Sequence, residues 1–500
     1  MDTALKKDIY EHLAPVWTGG LSRDFTAESI VPDAMPDMAS IIDADGVITL
    51  RSKETENGAV SLAASLSVSV MYMPESGGSI QSVSLVVPVE MRMDAPGTDL
   101  DCQTVARLRV RAIDARMVNS RKLSVRADVD CEATVYQKRS LEIASGLAEE
   151  NAAIHILTKT AAMAAVADVR EKTFVVTDEY PLPAGCSGAD RIIMQRVDAC
   201  LEDAKYVSGK VIFRGRIRAA LLLGGQDGGV WSGRYETEYS QIMEVGTGAA
   251  DVTAGMTLMF TGVYFDLPER QDADGKLKAE LHLVAQAVCR EIREVGYIAD
   301  LYSNRTVLAG QTEEISLVSA AQPVSMRQTV TGSAELMGGT GEVLAASATV
   351  GGVTVEGETV KTTVSIRVVL QQEGGGYATA RSRLTAEFTT DIPAGTTLQN
   401  VTVTAADVYC AAAAGALDVR AVLQMEAVAV TGRSIAAITG IEEDAEAWAA
   451  TPAAPSIFLV RLEPGADMWT VAKKYHSTVE AISAANGERQ SGLLLIPKAR

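Results

Sequence analysis

The sequence contains few of the residues from which active sites and metal centres are usually built. It has four histidines and six cysteines in 500 residues. The histidines are far apart, and the cysteines form neither a CxxC pair nor a zinc-like spacing with histidine. The GxSxG and GxxxxGK[ST] motifs do not occur. The sequence therefore predicts no catalytic residue, no metal site and no cofactor, and it favours a protein that is not an enzyme.

Long apolar runs are also missing. No run reaches the roughly 20 residues of a membrane span, and the first residues, MDTALKKDIYEHLAPVWTGG, have no apolar core of secretory length. The cysteine pattern does not resemble a disulfide framework. We therefore expect a soluble protein of the cytoplasm with no transmembrane segment. The net charge of −19 argues against a nucleic-acid partner, because so acidic a chain would not neutralise phosphates.

The chain is rich in alternating apolar and polar residues, a pattern typical of strands that bury one face. Three alternating stretches, at 60–70, 211–221 and 360–368, each run into a group of glycines that suits a turn. In each case a further glycine lies 19 residues after the last glycine of the group. A further alternating stretch then begins, at Leu123, Leu277 and Leu417 respectively. These matched spacings predict one antiparallel β module used three times, with a period of about 150 residues.

The chain is long enough for several domains. The predicted divisions are an N-terminal segment (1–35), three β modules (36–168, 169–322 and 323–438), an acidic linker rich in Ala and Pro (439–455) and a C-terminal unit (456–500). Segments between the modules, beginning IHILTK and DLYSNR, are predicted to be mostly strand. The predicted fold is therefore mainly β, with a different kind of unit at the end.

The C-terminal unit has the pattern strand, helix, helix, strand. Asp467 is placed to cap the first helix, Ser477 and Glu480 form a capping box for the second, and Asn486-Gly487 ends it. The unit is similar to the lysin motif (LysM), a small βααβ domain known for binding N-acetylglucosamine glycans. The matching residues are Pro464, Gly465, Trp469, Ala472, Tyr475, Thr478, Val479, Ile482, Asn486, Ile496 and Pro497.

This resemblance implies a groove that binds a glycan or a partner protein. Its two sides would be Gly465, Ala466, Asp467 and Met468, and Asn486, Gly487 and Ile496. Trp469 is expected to pack in the core of the unit rather than to line the groove.

The first β module resembles a SPOCS domain, the β module of spore-coat assembly proteins. The matching residues are Val31, Pro32, Asp33, Pro36, Asp37, Ile41, Gly46, Val47, Val70 and Tyr72. The segment DLYSNR (300–305) is similar to the connection between successive SPOCS units. Three such modules followed by a LysM unit resemble the SipL/SpoVID-like family of spore-coat morphogenetic proteins of Firmicutes.

The resemblance implies a non-enzymatic scaffold in the mother-cell cytoplasm, at the forespore surface. Its implied partners are a SpoIVA-like coat morphogenetic ATPase and other coat proteins, with peptidoglycan or its precursors as a further ligand. One alternative is a cell-envelope protein that binds peptidoglycan or N-acetylglucosamine. Another is a filament or layer protein that self-associates through exposed edge strands, which can pair with another chain.

Overall fold

The computed structural model describes residues 4–186, 188–268, 275–335, 341–372, 376–413, 416–444, 456–487 and 489–498. Within these ranges the chain is mainly β, with twenty strands and two short helices. The predicted mainly β class is thereby confirmed. In the same ranges, no helix has the length and the apolar content that crossing a membrane would need.

The first unit consists of six strands in two antiparallel sheets. They are β1 (Leu5–Ile30), β2 (Met38–Glu56), β3 (Ala59–Pro74), β4 (Gln81–Asp94), β5 (Gln103–Asn119) and β6 (Lys122–Leu147). One sheet has the order β2-β3-β4, and β1, β6 and β5 are neighbours in the other. Alternate residues of β3 and β6, such as Leu66, Val68, Leu123 and Val125, are at most 1% exposed and form a shared core. The alternation in sequence thus buries one face of each sheet.

The same order of six strands occurs twice more. The second unit has β7 (Ile154–Pro181), β8 (Ala189–Val207), β9 (Lys210–Gly225), β10 (Val230–Glu244), β11 (Val252–Asp266) and β12 (Lys276–Ser303). The third has β13 (Val307–Glu335), β14 (Gly341–Glu356), β15 (Thr359–Gln372), β16 (Tyr377–Thr389), β17 (Thr396–Ala413) and β18 (Ala416–Asp444). Each unit contains a three-strand meander, and its first strand pairs with its last.

The repeated spacings in the sequence correspond to repeated strands. The three alternating stretches lie in β3, β9 and β15, the central strands of the meanders. The later glycines, among them Gly97 and Gly395, lie between the fourth and fifth strands of each unit. These two glycines have φ of +87° and +80°, a conformation that costs little without a Cβ. The segments between the modules are strands, as predicted.

Strand pairing places the borders of the units at other residues than the sequence did. β1 pairs with β6 from Leu5↔Leu147 to Ile30↔Lys122, so residues 5–30 belong to the first unit rather than to a separate segment. The predicted borders at 169 and 323 fall inside β7 and β13. Residues 439–444 of the predicted linker continue β18, and residues 445–455 lie outside the described ranges.

Buried contacts join the three units. β1 and β7 meet at Leu13↔Val166, which joins the large sheets of the first two units in the order β11-β12-β7-β1-β6-β5. The outer halves of the three long strand pairs share one apolar cluster, to which each unit contributes: Ile143, Ala161, Met163, Ala165, Val295, Tyr297, Leu317, Ile435 and Ala437.

The C-terminal unit, here called the C-terminal module, has the predicted order of elements. It contains β19 (Ile457–Leu462), α1 (Met468–Tyr475), α2 (Val479–Asn486) and β20 (Gly492–Pro497), with β19 and β20 antiparallel. The Asp467 carboxylate accepts hydrogen bonds from the backbone N–H groups of Trp469 and Thr470, both at 3.2 Å, so the predicted cap is confirmed.

The predicted capping box of α2 is wrong. Thr478 caps this helix, because its Oγ1 accepts a hydrogen bond from the backbone N–H of Ala481 at 3.0 Å. Ser477 is fully buried, and its hydroxyl donates to the backbone carbonyl of Pro497 in β20. The packing of β20 against the helices therefore moves the cap one residue along. Gly487, with φ of +63°, ends α2 as predicted.

Candidate functional site

The C-terminal module contacts the end of β12 in the second unit. The indole Nε1–H of Trp469 donates to Asp300 Oδ2 at 2.8 Å, and Lys473 Nζ donates to Asp300 Oδ1 at 2.5 Å. The Tyr302 hydroxyl donates to the backbone carbonyl of Ser477 at 2.8 Å, and its ring meets the Trp469 ring edge-on, with 4.9 Å between centroids. We call these five residues the docking contact.

The local geometry of β12 brings Asp300 and Tyr302 to the same side of the strand. They are two residues apart in extended backbone, and the intervening Leu301 points into a separate apolar cluster of the body. A register shift between Ile298 and Asp300 precedes them. Such bulges redirect side chains at the end of a strand. The bulge therefore lets one strand serve both the body and the module.

The electrostatics of the docking contact favour an ionised Asp300. Partial burial by itself would raise the pKa of Asp300, but the hydrogen bonds from Lys473 and Trp469 hold this pKa below its ordinary value. Burial raises the pKa of Tyr302 to about 12. At neutral pH the carboxylate is therefore an acceptor and the phenol remains a donor, as the contact requires.

The first side of the predicted groove lies at the turn before α1. Gly465 is exposed with φ of +87°, and Ala466 donates its backbone N–H to the Glu463 carbonyl at 3.2 Å. The Asp467 carboxylate is engaged as the helix cap, and its hydrogen bonds, first that from Thr470, lower its pKa. Met468 is half-buried in the apolar cluster that includes Tyr302. This side of the groove therefore adjoins the docking contact.

The second side of the predicted groove has mostly structural contacts. The Asn486 amide donates to the Leu495 carbonyl at 2.6 Å and accepts from the Leu495 N–H at 2.8 Å, which ties α2 to β20. The Ile496 side chain is fully buried, so a ligand could meet only its main chain. Gly487 is exposed. Asn486 and Ile496 therefore hold the module together from within.

A surface that the sequence analysis did not identify lies on the other face of β19 and β20. Ile457, Leu459, Leu493 and Leu495 are 57%, 64%, 60% and 37% exposed, and Leu459 lies directly opposite Leu495. We call these four residues the apolar face. Its signal in the sequence is the absence of alternation in IFLVRL and LLLIP. A strand with apolar residues at successive positions has apolar side chains on both faces, and the helices cover only one of them.

Comparison with protein-family models, with curated proteins and with solved structures gives no match for this chain.

Proposed function

We propose that the protein is a non-enzymatic scaffold for spore-coat assembly, in which the C-terminal module is the binding and targeting unit. The observation that carries the proposal is the apolar face. Four large apolar side chains are exposed on one face of the β19–β20 pair, and the exposed Arg461 lies opposite Leu493 on the same face. Patches of this kind are typical of surfaces that bind another protein.

A protein ligand suits the module better than a bare glycan. Two side chains of the predicted glycan groove, those of Asn486 and Ile496, have structural contacts. The apolar face has no hydroxyl or amide side chain with which to recognise a sugar. The resemblance to SipL/SpoVID-like proteins agrees with a protein ligand, since it implies contact with a SpoIVA-like ATPase on the forespore.

The repeated units agree with a role in assembly. The described part of the chain contains three six-strand units and the C-terminal module. Weak contacts made by several units on one chain add by avidity, so no single tight site is needed. The proposed chain therefore links coat proteins, bound by the units, to a basement layer bound by the module.

The test is the location of a fluorescent fusion in the native host, followed from growth through sporulation. We expect a shell around the forespore, and we expect Leu459→Asp to abolish it, because a buried carboxylate at the centre of an interface is unfavourable. The matched control is Ser483→Asp, on the exposed side of α2 in the same module.

Leu459→Asp should also abolish binding of the chain to the purified SpoIVA-like ATPase of the same organism, and Ser483→Asp should leave this binding unchanged. A normal shell for Leu459→Asp would contradict the use of the apolar face. Signal along the wall of growing cells, with binding of muropeptides by the purified chain, would favour the envelope protein instead.

A further inference from the structure

Three equivalent residues lie where one unit faces the next. Glu132, Gln286 and Glu426 each lie ten residues after the first residue of the last strand of their unit, β6, β12 and β18. Gln286 faces the first unit, and Glu426 lies beside β8 and β11 of the second. The same position thus carries an amide at one junction and a carboxylate at the next.

The junction between the first and second units is closed by side chains. The Gln286 amide accepts from the Ala106 N–H at 3.0 Å and donates to the Ala106 carbonyl at 2.7 Å, so it pairs with edge strand β5 as another strand would. Lys53 Nζ donates to Gln286 Oε1 at 2.7 Å and also contacts Glu171 and the Thr104 carbonyl. Gln286 is 1% exposed. The ammonium of Lys53, a residue of β2, thus contacts β5, β7 and β12.

The junction between the second and third units lacks these closing groups. The strand register makes Ala204 the counterpart of Lys53. Ala204 in β8 pairs with Phe213 in β9, just as Lys53 in β2 pairs with Leu62 in β3. In the same way Ser325 is the counterpart of Glu171. Ser325 pairs with Glu426, as Glu171 pairs with Gln286 at the first junction. At this junction a cavity of about 480 Å³ lies between β8, β11, β13 and β18, and Ala204 is among its lining residues.

The cavity is lined by apolar side chains together with Glu426 and three charged residues of β8, which are Glu202, Asp203 and Lys205. Leu201, Met256 and Val428 are among its lining residues. The Glu426 carboxylate accepts from Gln424 Nε2 at 2.8 Å, and burial raises the pKa of Glu426. The charge of Arg107, in the first unit, acts in the opposite direction and lowers the pKa of Glu426, but in the described part of the chain no lysine or arginine forms a salt bridge with this carboxylate. The site therefore has a carboxylate that can accept from a cation, and Ala204 leaves it without a counterpart of Lys53.

The walls also offer main-chain hydrogen bonds. β8 and β11 are both edge strands of their sheets, and both line the cavity. An edge strand has N–H and C=O groups that can pair with an added strand. The lining part of β11, residues 252–257, is about 20 Å long at 3.3 Å per residue, which suits an extended segment of six residues.

We propose that this cavity binds an extended peptide segment that carries a lysine. The lysine occupies the place that Lys53 has at the first junction, with its ammonium donating to Glu426. The peptide backbone pairs with the edge of β11. The proposal does not depend on the coat function, because it rests on the comparison of two junctions within the chain.

Selection from a phage-displayed random octapeptide library tests the proposal. The target is the full chain, and the counter-target is its Ala204→Lys variant, in which the new side chain is designed to take the place of the peptide lysine beside Glu426. We expect enriched peptides to carry a lysine between β-branched or aromatic residues. An enriched peptide, labelled with fluorescein, should bind the natural chain in an anisotropy titration.

Matched variants locate the binding. Glu426→Gln should weaken binding about tenfold or more, because a hydrogen bond between charged groups is replaced by one to a neutral amide. Replacing the peptide lysine by norleucine should have a similar effect. Glu90→Gln neutralises an exposed carboxylate on β4, which does not line the cavity, and should leave binding unchanged. The melting temperature of the Glu426→Gln variant, compared with that of the natural chain, checks that the fold is retained.

The proposal is overturned if no peptide is enriched over the counter-target, or if enriched peptides lack lysine. Equal affinity for the natural chain and for Glu426→Gln also overturns it. N-acetyl-lysine methylamide should not displace the labelled peptide at concentrations near the dissociation constant of that peptide. If it does, the site binds an amine without strand pairing, and the peptide assignment is wrong.

Discussion

Removing the Asp300 carboxylate should release the C-terminal module from the body. Asp300 receives hydrogen bonds from the Trp469 indole at 2.8 Å and from the Lys473 ammonium at 2.5 Å. The substitution Asp300→Ala removes both and leaves the indole N–H without an acceptor. Asp300→Asn retains an oxygen that can accept from the indole but loses the charge opposite Lys473. The two variants therefore separate the hydrogen bond from the ion pair.

The two interactions differ in expected size. The Asp300 and Lys473 side chains are 33% and 44% exposed, so solvent screening limits their ion pair to at most about 1 kcal/mol. A hydrogen bond from a half-buried indole to a carboxylate is worth about 1.5 kcal/mol. We expect Asp300→Ala to weaken docking by about 2 kcal/mol, roughly thirtyfold, and Asp300→Asn by less than about 1 kcal/mol.

The ¹⁹F NMR spectrum of the full chain labelled with 5-fluorotryptophan measures docking. The chain has four tryptophans, and Trp469→Phe identifies the relevant resonance. The urea concentration at which this resonance moves should fall in the order natural chain, Asp300→Asn, Asp300→Ala. Since the pKa of Asp300 is lowered in the docked state, its contribution is present above about pH 4 and is lost as the pH falls through the docked pKa. Equal effects of the two variants, or no effect of either, would refute this account.

Two further predictions concern the body. Gln286→Ala should lower the free energy of unfolding by about 3 kcal/mol, because it leaves the N–H and C=O of Ala106 buried without partners; urea unfolding measures this, and a loss below about 0.5 kcal/mol would contradict it. Burial raises the pKa values of the Cys131 and Cys289 thiols to about 12, so in the folded chain at pH 8 iodoacetamide should modify the less buried Cys200 before either of them. Mass spectrometry of the digested chain gives the order, and early modification of Cys131 would contradict the buried core.

Local features of the fold were predictable from the sequence. Alternation at 60–70 and 211–221 identified the central strands β3 and β9, because residues two apart share a face of any strand. Asp467 was recognisable as a cap, since its hydrogen bonds reach only residues two and three positions later. The cap of α2 was not, because Ser477 and Thr478 can both accept from the helix. The choice between them depends on Pro497, twenty residues away.

The candidate site was predictable only in part. The sequence marked the turn at Gly465 and the end of α2 at Asn486, but not the partner of the module on β12. Asp300 and Trp469 are 169 residues apart, and no spacing or periodicity connects them. The apolar face could have been predicted from the sequence, because apolar residues do not alternate with polar residues in β19 and β20. Which side of them the helices cover is decided by packing.

The sequence by itself determined the strands, their threefold repetition and the order of elements in the C-terminal module, because these follow from contacts between near neighbours. Tertiary structure decided that β1 pairs with β6 and that Trp469 meets Asp300. It also gave one strand position two roles, with Gln286 closing a junction and Glu426 lining a cavity. Each of these outcomes depends on interactions between residues that are far apart in the chain. The energies of these interactions are determined only when the units have packed together.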